Sequence, residues 1–309
     1  MRQLSAANDT SISVGPKTLL VAYDFFDASD AALNWGIEIA KAFRSKIIIL
    51  CIDSPSRLED QMDGGLPGAQ ARVEMQGNMQ SLRKRLEGAG VRFEVIHRAG
   101  IIADIVIQEA CAQRADLVLM GAYGSRRLDP PRLGSTAEAM IRAMSCAVFV
   151  MGPESLAQPP RLDTVRKIRY LKVGDHATAR WVLLEQIAER SRAVIEIECL
   201  VDGGSSCDPS RHQRIQADCE HLVNALRAQH LRVNWDLQYG GEDVLLHSIS
   251  GSALVGLTAI DADEATTRAG RRLNIVIQNS RCPVLILPHD RKLSRIFGSE
   301  EVLAASSAS

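Results

Sequence analysis

Aromatic residues are scarce and net charge is almost absent. Phe, Trp and Tyr make up 4% of the 309 residues, too few for the stacking platforms that hold single-stranded nucleic acid. A formal charge of -1 supplies no global basic field for a polyanion or an anionic lipid surface. No apolar run approaches the length of a membrane-spanning helix. The polar stretch Met1–Lys17 lacks the apolar core of a secretory signal. The expected setting is the cytoplasm, with no nucleic-acid and no membrane partner.

Cysteine pairs of metal or redox type are missing too. Cys51, Cys111, Cys146, Cys199, Cys207, Cys219 and Cys282 are scattered, and none forms CxxC. Buried, reduced thiols are expected, with Cys207, in a polar loop, the one candidate redox sensor. Walker A, GxGxxG after a strand, SGGxDS, GxSxG, HExxH and zinc-type spacings do not occur. His97, His176 and His247 stand alone, as solvated or capping histidines do.

What is present is alternation. Thr18–Tyr23 (TLLVAY) and Lys46–Ile52 (KIIILCI) are continuous apolar runs, the pattern of parallel strands buried on both faces. Between them Leu33, Gly36, Ile37, Ala40 and Phe43 recur at helical spacing, with Ser29 as the expected N-cap. Met75, Met79, Leu82 and Leu86 mark a second helix, read as core packing and closed by Gly88 and Gly90. Val91–His97 alternates as a strand, and a helix is expected from Ala103 to Gln113. Strands and helices in this order predict a parallel, doubly wound sheet.

The stretch Asp116–Met151 completes this half and organises it. A short apolar run ends at Gly121, a loop follows, Ser135 opens a helical pattern, and Ala147–Met151 is a further buried strand. The loop spacing is Gly121-x2-Gly124-x9-Gly134-Ser135. Glycines allow the backbone to approach an anion with its N–H groups inward. Ser135 with Glu138 reads as a capping box, and a helix N-terminus favours negative charge. Arg126, Arg127 and Arg132 offer counter-charge. The alternative is a long connecting loop whose glycines serve only its turns.

This glycine pattern resembles the nucleotide-binding loop of the universal stress protein family, in its ATP-binding branch. The resemblance implies an adenine nucleotide alpha hydrolase-like fold with strand order 3-2-1-4-5, placing the ends of strands 1 and 4 in one crevice. It also implies site roles, carried residue by residue. Asp24 would receive the adenine or ribose side, beside the backbone of Ala22 and Tyr23. Cys51 would lie against adenine. Met120 and Gly121 would begin the loop, and Gly124, Gly134, Ser135 and Thr136 would hold phosphates and ribose. Phe25–Phe26 and Pro130–Pro131 depart from the family pattern, in positions to crowd the base and stiffen the loop.

After a linker, Gly152–Thr164, the pattern restarts. Strands are expected at Arg166–Val173, Ala193–Val201, Leu231–Gln238, Ser252–Leu257 and Cys282–Leu287. Helices are expected at Ala177–Arg190, around Ile215–Leu226, and at Glu242–Ser248 and Arg271–Asn279. Ser145–Val150 (SCAVFV) matches Arg281–Ile286 (RCPVLI). A duplication of about 140 residues accounts for this, so the chain reads as two tandem α/β domains, 17–152 and 165–288, with flexible tails at 1–16 and 289–309.

The second half lacks the loop. Gly256 reads as the counterpart of Gly121, with Ala259 for the second glycine and Arg271 for Ser135. Asp261, Asp263 and Glu264 would repel phosphate, although Asp175 survives at a strand end. No nucleotide is expected there. Val148–Met151 and Val284–Leu287 would be exposed edges unless they pair with one another, as the resemblance implies.

The primary expectation is an ATP-binding regulatory protein of stress responses, with Mg2+ held mostly by phosphate oxygens. A regulatory protein partner and a homodimer are compatible with it. At most a slow ATPase is expected: Tyr23 and Tyr123 ionise too high for a general base, and Asp24 lies toward the base. The alternative is an interaction scaffold with no nucleotide in either half. A third class, an enzyme of a related nucleotide-binding fold, lacks its motifs.

Overall fold

A computed structural model describes residues 15–53, 68–123, 133–157, 161–173, 181–201, 209–249, 252–258 and 268–288. The first half runs β1 (Thr18–Ala22), α1 (Asp27–Phe43), β2 (Lys46–Asp53), α2 (Gly68–Ala89), β3 (Arg92–Ala99), α3 (Ile102–Ala112), β4 (Leu117–Gly121), α4 (Ser135–Ala143) and β5 (Ala147–Met151). The second runs β6 (Lys167–Val173), α5 (Val182–Ser191), β7 (Val194–Val201), α6 (Pro209–Ala228), β8 (Arg232–Tyr239), α7 (Glu242–Ile249), β9 (Leu254–Thr258), α8 (Arg268–Asn279) and β10 (Val284–Leu287).

All ten strands join one sheet, in the order β3-β2-β1-β4-β5-β10-β9-β6-β7-β8. Each half thus keeps the expected 3-2-1-4-5 order, but the two sheets are fused. Pairing is parallel within each half and antiparallel between β5 and β10. The junction pairs Val150 with Val284, Phe149 with Leu285 and Val148 with Ile286. Since Val148 and Val284 hold the same position in the SCAVFV/RCPVLI match, the two halves meet about a local two-fold axis through Phe149 and Leu285. The apolar edges cover each other, which removes the hazard of unpaired strand edges.

The duplication extends to turns. Arg44 and Arg192 end α1 and α5 in the left-handed region, at φ 58° and 56°. Gly90 and His230 do the same before β3 and β8, at φ 69° and 64°. Strand registers fix the equivalences between halves. Thr18 pairs with Lys46 as Lys167 pairs with Val194, so Leu20 corresponds to Arg169, Ile48 to Glu196, Leu50 to Glu198 and Cys51 to Cys199.

Two cores flank the sheet. One lies under α1, α2, α5 and α6, the other under α3, α4, α7 and α8. β1, β2, β4 and β5 are buried on both faces, which is why they read as unbroken apolar runs.

Three local expectations change. Helix α1 starts at Asp27 with Phe26 as N-cap. Ser29 is instead inside the first turn, its hydroxyl donating to the Phe26 carbonyl at 3.0 Å. The cysteines are not all scattered: Cys199 of β7 and Cys219 of α6, both buried, face one another with Cα atoms 7.7 Å apart. The packing of α6 on β7 brings them together, which sequence spacing does not reveal. Cys207, residues 54–67 and the 289–309 tail lie outside the described residues. The linker has its own order, with 3-10 turns at Pro153–Ala157 and Leu162–Thr164 and a buried Leu162.

Candidate functional site

β1 and β4 are neighbours, with Leu19 beside Leu117 and Val21 beside Leu119. Beyond them the chain departs in opposite directions, since α1 packs on one face of the sheet and α4 on the other. This is a topological switch point, where a crevice opens outside the carboxyl ends of the strands.

The loop between β4 and α4 closes through a narrow neck. The Ala122 N–H donates to the Met151 carbonyl at 2.9 Å, and the Gly134 N–H donates to the Ala122 carbonyl at 2.9 Å. Gly124, Arg126, Arg127, Pro130, Pro131 and Arg132 lie outside the described residues. The two described loop glycines have separate reasons. A Cβ on Gly121 would fall 2.7 Å from the Ala28 Cβ, so this glycine lets β4 approach α1. A Cβ on Gly134 would meet the Ala122 carbonyl oxygen at 3.3 Å, so that glycine permits the closed neck.

The expected capping box is not formed. Gly134 is the N-cap of α4, with extended backbone and no side-chain cap, and Ser135 is the first helical residue. The first N–H to find its acceptor at the helix start is that of Glu138, bonded to the Gly134 carbonyl at 3.0 Å. The Glu138 carboxylate lies 3.8 Å from Arg142. Register explains the change: with Gly134 at N-cap, Glu138 is one residue too far along to reach back. The consequence favours a ligand. The N–H groups of Ser135, Thr136 and Ala137 lack acceptors within the helix, the Ser135 hydroxyl is not spent on the cap, and the helix dipole is positive here.

Across the crevice, Asp24 follows β1 in a tight turn. Its Oδ1 accepts the Phe26 N–H at 3.1 Å, and its own N–H donates to Ser29 Oγ at 3.3 Å. Phe25 sits at φ 68°, in the left-handed region, and packs edge-on to Tyr23 with ring centroids 4.8 Å apart. Phe25 is therefore folded onto the α1 and α2 side of the sheet, opposite α4. Tyr23 is buried on that same side, and its hydroxyl donates to Asp30 Oδ1 at 2.5 Å. Burial, then this hydrogen bond to a carboxylate, push the hydroxyl well above the usual tyrosine range.

The residues named from the resemblance thus divide by face. Ala22 and Met120 point toward α3 and α4, whereas Tyr23 and Cys51 are buried on the α1 and α2 side. Gly121, Gly134, Ser135 and Thr136 line the β4–α4 side, and Asp24 the β1 side. Sequence reading missed Ala122, whose backbone makes both neck bonds, and Asp30, Asn34 and Arg85, which brace the β1 side. Nothing in local spacing marks them: Arg85 is 55 residues from Asp30.

The second half differs more than expected. Leu254 stands where Leu117 stands, each pairing at the foot of the neighbouring first strand of its half. Thr258, not Gly256, therefore occupies the place of Gly121. Gly256 is inside β9 beside Tyr170, where a Cβ would meet Leu184 at 2.8 Å. Arg271 stands where Ser135 stands, but α8 already begins at Arg268. The open first turn of α4 has become helix interior. Asp175, Ala259, Asp261, Asp263 and Glu264 lie outside the described residues. Among the described residues no cluster of potential metal ligands occurs, and no helix is long and apolar enough to cross a membrane.

A doubly wound parallel sheet with the order 3-2-1-4-5 in each half is the adenine nucleotide alpha hydrolase-like fold. Residues 16–152 match the universal stress protein family model. A universal stress protein of Methanocaldococcus jannaschii is 28% identical over 138 residues, which are 44% of this chain and 81% of that protein. Over nearly the whole chain the likeness is one of fold. A universal stress protein structure from Archaeoglobus fulgidus has a TM-score of 0.67 at 15% identity, covering 89% of this chain and 97% of its own. A functionally unknown protein from Pseudomonas aeruginosa reaches 0.61 at 15% identity, covering 96% and 99%. The likeness to the universal stress protein family is thus one of sequence in the first half and of fold alone in the second.

Proposed function

We propose that the protein is a nucleotide-responsive regulator of stress responses that holds one adenine nucleotide, ATP with Mg2+, in the first half. The observation that carries this reading is the uncapped start of α4, tethered to the end of β4 by the Gly134–Ala122 bond at 2.9 Å. Phosphates fit there, against the N–H groups of Ser135, Thr136 and Ala137. An elongated ligand with phosphates on the β4 side lays its other end toward Asp24. The match of residues 16–152 to the universal stress protein family model is what makes an adenine nucleotide the ligand of choice. Mg2+ is held by phosphate oxygens, since the described residues offer no ligand cluster. The protein acts by binding rather than turnover, and its location is the cytoplasm. Its signal passes to a protein partner.

A ligand at one hundred times its dissociation constant adds about 2.7 kcal/mol to folded stability. Thermal unfolding with and without millimolar ATP–Mg tests the reading, and a clear rise in Tm is expected. One observation favours the scaffold alternative. Gly121 is explained by the contact with Ala28, without any ligand. An unchanged Tm at millimolar nucleotide supports that alternative and ends the nucleotide reading.

A further inference from the structure

We infer that Arg85, on α2 and far from the glycine loop in sequence, is a positioning residue for the nucleoside end of the ligand. The inference rests on the nucleotide reading above. The Arg85 guanidinium spans two successive turns of α1. Its Nη1 lies 2.9 Å from Asp30 Oδ1, and its Nη2 donates to Asn34 Oδ1 at 2.6 Å. The same Asp30 oxygen accepts the Tyr23 hydroxyl. One carboxylate oxygen thus ties α2, α1 and the end of β1 together. The Tyr23 N–H is also fixed, donating to the Leu50 carbonyl at 2.9 Å.

The next residue is Asp24. Its turn is held at one side by Tyr23 and at the other by Phe25, whose strained left-handed backbone is maintained by its ring contact with Tyr23. The Asp24 turn, itself closed by the Phe26 N–H on Oδ1 and by its own N–H on Ser29 Oγ, is flanked by two rings whose places are braced by Asp30 and Arg85. A carboxylate in this turn, just past the carboxyl end of β1, is suited to hydroxyl and amine donors, such as those of a ribose or a base. The arrangement goes with the glycine loop: in the second half, which lacks that loop, Ala225 stands where Arg85 stands, as the shared register of Arg92 and Arg232 shows.

Two ligands separate a positioning role from general stability. Inorganic tripolyphosphate with Mg2+ probes the phosphate side alone, and ATP–Mg probes both ends. In the full chain, Arg85→Met is expected to weaken ATP by about tenfold, the size of one good charge-assisted contact, and to leave tripolyphosphate unchanged. Arg85→Lys, which keeps a cation beside Asp30, should restore part of the loss. Asp30→Asn, which keeps an oxygen for Tyr23 but loses the charge, should repeat the pattern if Arg85→Met folds poorly. Equal ATP affinity in wild type, Arg85→Met and Asp30→Asn, or a parallel loss for ATP and tripolyphosphate, overturns the role of Arg85. No ATP binding by wild type itself overturns the parent reading, and this inference with it.

Discussion

The face of the sheet under α3 in the first half and under α7 in the second is built from the same positions with opposite chemistry. In the first half Leu20, Ile48 and Leu50 are fully buried there. In the second, Arg169, Glu196 and Glu198 take their places. Arg169 is 2.8 Å from Glu196 and 3.1 Å from Glu198, and it donates to the Ser248 carbonyl in α7. Lys167 is 2.9 Å from Glu196. One backbone thus accepts either an apolar layer or an ion network. The first presses α3 down non-directionally; the second ties α7 by a few specific contacts. The two halves share the sheet and differ in what each helix is held by. The half with the ion network is also the half in which Thr258 and Arg271 stand where Gly121 and Ser135 stand in the other.

The largest expected effect comes from cutting that network. Arg169→Leu leaves Glu196 and Glu198 without their shared cation, and urea unfolding should show a loss of about 3–5 kcal/mol. Converting all three positions to their first-half counterparts (Arg169→Leu, Glu196→Ile, Glu198→Leu) should be neutral or stabilising by about 1–4 kcal/mol. A cheap single variant would mean that the two faces are energetically alike.

Next comes Gly121→Ala. The added methyl must displace Ala28, and overpacking of this kind costs about 1–3 kcal/mol. Thr258→Gly, at the equivalent place, makes no such clash. Matching costs at the two sites, measured by the same unfolding assay, would undo the equivalence drawn between Gly121 and Thr258.

A pH effect should follow. Burial raises the Glu196 pKa, but hydrogen bonds from Arg169 and Lys167, with their charges, outweigh it and hold the group below its ordinary value of 4.5. Its contribution is then fully present above pH 4.5 and is lost as pH falls through the lower folded value. Hydrogen exchange should therefore show α7 loosening in acid before α3. Simultaneous loosening would contradict the contrast.

The smallest effect belongs to a surface pair that only the first half has. Lys46 and Glu94 are 2.6 Å apart, but both are well exposed; Val194 and Asn234 replace them in the second half. Glu94→Gln should cost less than about 1 kcal/mol, by thermal unfolding.

These contrasts also mark what the sequence could tell. Strand positions were legible because β1, β2, β4 and β5 are buried on both faces and therefore unbroken in apolarity; their order was implied only by the family resemblance. The β5–β10 junction was implied by the resemblance, and SCAVFV and RCPVLI marked the two apolar strands that form it. The capping at α4 was not, because Gly134 and Ser135 are both acceptable N-caps and only the closed neck selects Gly134. Gly256 misled because a glycine reads as a loop marker, whereas here it makes room for Leu184 and Tyr170 inside β9. The charges of Arg169, Glu196 and Glu198 were visible, but their burial was not. The Tyr23–Asp30–Arg85 contacts join three separate elements and leave no periodic trace.

The central claim is that one half of the chain binds an anion at the start of α4 and the other, whose α8 starts a turn earlier at Arg268, does not. Equilibrium dialysis with ATP–Mg tests this directly by counting bound nucleotide per chain. The account predicts one nucleotide per chain, lost in Gly134→Glu and retained in Arg271→Glu. Two nucleotides, none, or one that survives Gly134→Glu would contradict it.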